Sequence, residues 1–215
     1  MIFNAKEVEK DNQAHSWFNE GGQRNKLTEV FQFIKPLDNI CFISDVDEIP
    51  KPDKLLEAKE LSLKNDCAVA LEMHWCLYYL NYCYPSERQF RGPYVFNPFR
   101  AKEIHERYGC SRHDPSYFRW HMCAPGCEHH FLTLKNAGWH FSWMGGIENI
   151  IKKLESYAHL DWNRDDIKNH EYLLRCLIKG KDIYGHNKET LEIKELSFLP
   201  EYVQNNLEKF KHLIL

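Results

Sequence analysis

No apolar run in the 215-residue chain approaches the roughly 18 residues a membrane-spanning helix needs, and the opening stretch, Met1 to Asp11, is charged where a signal peptide would be greasy. The chain is therefore expected to be soluble and cytoplasmic, without a membrane span. Basic residues are in no surplus: 28 Lys and Arg stand against 31 Asp and Glu, a formal net charge of -3. Nothing is left over to hold a nucleic-acid backbone by counterion release, so no nucleic-acid partner is expected. Cysteine is sparse, eight residues or about 4%, against the roughly 8–10% of a disulfide scaffold. A chain this long needs no staples, so all eight are expected to be reduced thiols, with Cys41, Cys67, Cys76 and Cys83 acting as small hydrophobes inside apolar runs. Internal repeats, low-complexity segments and linkers are absent too. What is there, 43% apolar and 14% aromatic residues, fills one core, and residues 1–215 read as a single domain.

Leu27, Val30, Phe31 and Ile34 recur at i, i+3, i+4 and i+7, one face of a helix that Pro36 stops. The continuous apolar run Ile40-Cys41-Phe42-Ile43 then reads as a strand buried on both faces in a parallel sheet. It ends in Ser44-Asp45-Val46-Asp47-Glu48-Ile49-Pro50, and a polar cluster at a strand's carboxyl end is where open α/β sheets hold ligands. Asp53 to Lys64 predicts a short helix and Cys67 to Leu71 a second buried strand. The aromatic-rich stretch Met73 to Tyr84 predicts further strands, paired antiparallel, and Arg91 to Phe96 one more with Gly92-Pro93 at an edge. Gly109 to Glu128 has no period and reads as loop. The last third is helical. One helix carries Ile147, Ile150, Ile151 and Leu154; a second, capped by Asn163, carries Ile167, Leu174 and Leu177 and ends at Gly180; a third starts behind Pro200. The fold class is α/β with extra β-structure.

Asp45 and Asp47 stand two apart past a strand, so both carboxylates can point the same way and offer hard oxygen donors to Mg²⁺ or Mn²⁺. Two carboxylates plus a diphosphate complete much of an octahedron, and the ion then neutralises the leaving diphosphate as a sugar–phosphate bond breaks. Asp-x-Asp alone is equally a solvated loop or a helix cap. The buried strand before it and the Ile-Pro stop after it set this instance apart.

A second block, Ala137-Gly138-Trp139-His140-Phe141-Ser142-Trp143-Met144-Gly145-Gly146, is followed by Lys152-Lys153-Leu154 and Ser156-Tyr157-Ala158-His159. Weaker anchors are Trp17 with Glu20 and Arg24, then Tyr78-Tyr79-Leu80-Asn81, and Leu199-Pro200-Glu201-Tyr202-Val203. In wording and order these segments resemble glycosyltransferase family 17, and they cover nearly the whole chain. The resemblance implies a GT-A-like, Rossmann-like mixed sheet flanked by helices. It further implies a UDP-sugar donor, UDP-GlcNAc foremost, a divalent cation, and transfer to a glycan acceptor with inversion. Trp17 stands near the start, so the amino-terminal part of that fold is expected to be shortened.

Carried over by the resemblance, Asp45 and Asp47 would hold the metal and Glu48 would position the donor sugar. His140 is a third metal ligand or a hydrogen-bonded histidine of an aromatic core; both stay open. Arg24, and Gly145-Gly146 ahead of a helix bearing Lys152 and Lys153, would meet the diphosphate, unless they are a surface arginine, a glycine turn and solvated lysines. Trp139 and Trp143 would stack on sugar faces or pack in the core. Inversion needs a carboxylate to deprotonate the acceptor hydroxyl, and the candidates are Asp161, Glu72 and Asp114. Separately, Cys123, Cys127 and His129, with His121, His130, Cys110 and His113 nearby, have the residue types of a structural zinc, although Cys-x3-Cys is looser than the usual spacing. Two other classes follow from these features: a catalytically degenerate glycan-binding module, and a zinc hydrolase built on the Cys/His group.

Overall fold

The computed structural model describes residues 13–31, 39–98, 119, 132–185 and 188–215. Its hub is β3 (Val69–Leu77), whose residues Val69, Ala70, Leu71, Met73 and Cys76 are wholly buried. Along one edge it pairs antiparallel with β5 (Gln89–Phe96); along the other, β6 (Leu132–Leu134) and β7 (Gly138–Ser142) run parallel to it. β1 (Cys41–Ile43) pairs antiparallel with β5, and β2 (Glu48–Pro50) antiparallel with β7. β4 (Tyr82–Cys83) joins the end of β3 to β8 (Glu192–Ile193), completing a mixed sheet of eight strands among the described residues.

Alternation along the strands sorts side chains between two faces. Val69, Leu71 and Met73 pack with Ala58 of α3 (Pro52–Asn65). Farther along the same face, Leu77 meets Ile150 and Leu154 of α4 (Ile147–Ser156) and Leu173 of α5 (His170–Lys179). On the opposite face Cys76, Cys83 and Trp139 meet Phe198, and Leu80 packs with Leu199 and Val203. The helix behind Pro200 forms in two short pieces, α6 (Glu201–Gln204) and α7 (Leu207–Phe210).

The structure corrects three expectations, on β1, on the cap of α5 and on two cysteines. β1 is half-buried and antiparallel, not a strand buried inside a parallel sheet. Gly92-Pro93 lies just beyond the last β1 partner of β5, Tyr94, so among the described residues only β3 runs beside it, and the missing proline N–H falls where the β3–β5 register shifts between Ala70 and Glu72. The cap of α5 is Asn169, whose side chain accepts from the Tyr172 N–H at 3.0 Å, whereas Asn163 closes the 3₁₀ turn Leu160–Trp162. Cys76 and Cys83 are not reduced thiols; directly opposed across the β3–β4 pair, they form a disulfide. The helix expected through Leu27 to Ile34 is described only as one turn, α2 (Thr28–Phe31), with Ile34 and Pro36 outside the described residues.

Candidate active site

A cavity of about 1000 Å³ opens between α1 (Gln13–Asn25), residues 45–47, α4 and residues 156–159. Trp75, Phe90 and His140 from β3, β5 and β7 form its inner wall. α1 is docked over it at two points. The Gln13 side chain donates to the Ala158 carbonyl and accepts from the Asp161 N–H, and Trp17 meets the His159 ring edge-on at 4.5 Å.

The Asp45-Val46-Asp47 turn bridges β1 and β2, and all three of its residues line the cavity. Its shape is set from within. The Glu48 N–H donates to the Asp45 carbonyl at 3.1 Å, and the Asp45 N–H donates to Glu48 Oε2 at 2.6 Å. The Glu48 side chain, 0% exposed, forks onto the buried guanidinium of Arg119, which also donates to Asp45 Oδ2 at 3.0 Å. Arg24 takes the other Asp45 oxygen at 2.9 Å and also pairs with Glu20 at 3.3 Å. Burial works to raise the Asp45 pKa, but Arg119 and Arg24 together outweigh it and hold the carboxyl below its ordinary range. In Glu48 burial wins over Arg119, and the pKa rises.

Asp47 faces different partners. Lys153 Nζ lies 3.2 Å and His140 Nε2 3.8 Å from its Oδ2, and its carbonyl accepts from the Phe141 N–H at 2.9 Å. Lys153 is itself held by Ser142 Oγ at 3.1 Å and by the Trp143 ring at 5.1 Å. His140 packs edge-on to Phe90 at 3.9 Å, and burial pushes its pKa down to about 4, against the pull of Asp47, so the ring is neutral near neutrality. Its Nδ1 is buried without a hydrogen-bond partner, 3.8 Å from Glu48 Oε1.

For a divalent cation, the donors that fit are Asp47 and His140, a carboxylate oxygen and a neutral imidazole nitrogen, a set that suits Mn²⁺. Lys153 marks the spot with a cation of the chain's own. Asp45 does not fit as expected, because each of its oxygens already accepts from a guanidinium. Among the described residues no three His, Cys, Asp or Glu side chains converge on a metal position, so diphosphate oxygens and water would complete the shell.

The other expected site residues divide clearly. Arg24, Lys153 and Trp143 line the cavity. Trp139 does not: it points to the opposite face of β7, where its indole N–H donates to the Phe198 carbonyl at 3.1 Å. Glu48 is buried beneath the turn and cannot touch a donor sugar. Gly145, Gly146 and Lys152 are exposed and off the cavity wall, because α4 offers the cavity its last turn, with Lys153 and Ser156, instead of its amino end. Glu72 has the opposite parity to Trp75 on β3 and so faces away. Asp161 is exposed in the 3₁₀ turn that follows the lining residues 156–159 and is not itself part of the cavity wall. Asp114, Cys123, Cys127 and His129 lie outside the described residues.

Sequence reasoning missed Arg119, which stands in a stretch without periodicity, and the wall residues Trp75, Phe90, Tyr157, His159 and Tyr184. The density of aromatics between Met73 and Tyr84 was the one signal for Trp75; a lone arginine in an unpatterned stretch offers none.

A mixed α/β sheet bearing an acidic turn on the wall of a large open cavity is consistent with a glycosyltransferase fold, the fold of an enzyme that binds a sugar donor and an acceptor. The whole chain, residues 1–215, matches the family model described as Glycosyltransferase family 17, and the chain belongs to that family of glycosyltransferases. No curated protein and no solved structure matches it. No helix among the described residues is long and apolar enough to cross a membrane.

Proposed function

We propose that the enzyme transfers GlcNAc or a similar sugar from a UDP-sugar to a glycan hydroxyl, with inversion, in the cavity between α1 and α4. The observation that carries this reading is the convergence of Asp47, Lys153 and Arg24 on one stretch of cavity wall. A donor diphosphate carries two negative charges to that pole, where Lys153 and Arg24 offer N–H donors and Asp47 with His140 offers a seat for Mn²⁺ or Mg²⁺. When bound, the cation neutralises charge on the leaving diphosphate. Arg119 and Glu48 act beneath the surface: their fork holds the turn so that Asp45 and Asp47 both face the cavity.

Of the three carboxylates considered as the base, Glu72 faces away, Asp114 lies outside the described residues, and Asp161 stands in the turn directly after the lining residues 156–159. Asp161 lies near enough that its charge helps raise the pKa values of the Tyr157 and Tyr184 phenols, behind the larger effect of burial. We assign Asp161 the proton from the acceptor hydroxyl. Hydrolysis of a panel of UDP-sugars tests the reading, since transferases pass sugar slowly to water. UDP release from one donor, lost on chelation of Mn²⁺, is expected; no release from any donor, together with no binding of UDP, would overturn it.

A further inference from the structure

We infer that the aromatic end of the cavity is the acceptor subsite, where the Tyr157–Tyr184 hydroxyl pair and the His159 ring receive a neutral sugar. This rests on the proposed transferase reading and specifies the part of the cavity that reading leaves open. The two phenol oxygens lie 2.9 Å apart and both residues line the cavity. The rings are fixed by their neighbours: Trp143 meets Tyr157 and Tyr184 edge-on at 5.6 and 5.9 Å, and Trp162 packs on Tyr184 at 4.3 Å. A wall of braced rings with hydroxyls at its surface matches a sugar, whose C–H face packs on aromatics while its hydroxyls exchange hydrogen bonds.

Charge separates this end from the rest of the cavity. Arg24, Lys153 and the acidic turn suit an anionic diphosphate, whereas Tyr157, Tyr184 and Trp143 bear no charge. Burial pushes the Tyr157 phenol up to about 12, so it is a protonated hydroxyl at working pH. The two ends meet at Trp143, whose ring carries Lys153 on one side and packs against the tyrosines on another. An acceptor on the tyrosines is thus one indole away from the Asp47 pole, as attack beside the diphosphate requires. α1 contributes Ser16, Asn19, Glu20, Gln23 and Arg24 to the lining, a polar stripe in which Glu20 and Arg24 pair with each other, where a core-facing helix would be apolar.

The test uses the Tyr157→Phe/Tyr184→Phe double variant, which keeps both rings, with its melting temperature compared with that of the parent. Two probes are titrated: UDP with Mn²⁺ by calorimetry, and methyl glycosides of glucose, galactose, mannose and GlcNAc by saturation-transfer NMR in the presence of UDP. The parent is expected to bind at least one glycoside. The variant is expected to bind it about three- to tenfold more weakly for each hydrogen bond lost, with UDP affinity within twofold of the parent. If UDP binding weakens and glycoside binding does not, the wall holds the nucleobase and the inference is wrong. It is equally wrong if neither probe changes, or if the parent binds no glycoside. A parent that binds glycosides but not UDP would instead refute the donor reading and leave the sugar subsite standing.

Discussion

Asp47 and Glu48 are adjacent acids with opposite structural situations, and replacing each with alanine should separate chemistry from folding. The Asp47 side chain is 25% exposed and pairs with Lys153 at 3.2 Å, and its backbone contact with Phe141 survives substitution. A partly exposed pair of this kind contributes about 0–1 kcal/mol. With about 2–4 °C of melting temperature per kcal/mol in a chain of this size, Asp47→Ala should melt within about 4 °C of the parent. Its donor turnover should fall by about 10²–10³-fold or more, the usual loss when a group opposing transition-state charge is removed. The Glu48 side chain is 0% exposed, and its loss strips Arg119 of its forked partner and the Asp45 N–H of its acceptor. Breaking a buried pair costs about 3–5 kcal/mol, so Glu48→Ala should melt roughly 6–20 °C lower. Differential scanning fluorimetry and UDP release with Mn²⁺ measure both quantities. An Asp47→Ala enzyme with the parent's turnover would refute the role given to Asp47, and a Glu48→Ala protein with the parent's melting temperature would refute the buried frame.

Lys153→Met keeps length and apolar contact with Trp143 but removes the ammonium; UDP affinity should drop about tenfold, the loss of one charge-assisted hydrogen bond, with an unchanged far-ultraviolet spectrum. His74, buried against Phe198 and repelled by Lys51 and Lys194, has its pKa lowered from 6.5 to about 4, chiefly by burial. Below pH 6.5 the unfolded imidazole takes a proton that the folded one refuses, so stability falls between pH 6.5 and 4, by about 3 kcal/mol, and levels off below. Urea midpoints across that window should decline less steeply in His74→Gln. Gly138→Ala brings a Cβ against the Ile49 carbonyl and within 2.8 Å of Pro50 Cα, so the β2–β7 pair must spread, at about 1–3 kcal/mol. A melting temperature equal to the parent's would show that the pair yields freely.

The position of the acidic turn was legible because carboxylates clustered directly after an apolar run mark the point where the chain leaves the sheet for solvent. α3 was legible within two residues, since Pro52 opens it and Asp66, at φ 51, closes it. Strand partners were not, because the run Cys41–Ile43 reads the same beside a parallel or an antiparallel neighbour. Side-chain parity explains Trp139 and His140: adjacent in sequence, they face opposite sides of β7, and only the sheet's place between two cores says which side holds the cavity. The disulfide was hidden because two half-cystines in an aromatic run look like two small hydrophobes until β4 folds back on β3. Arg119 was illegible because it acts from far along the chain, 71 positions beyond Glu48.

Val46, between the two aspartates, leaves 98% of its surface uncovered while sitting on the cavity wall. Its isopropyl group supports no packing, so the fold leaves that position open to almost any replacement. A cysteine installed there and tagged with a small fluorophore would place a reporter beside the diphosphate pole without disturbing the guanidinium clamp on Asp45, giving a direct optical readout of donor arrival.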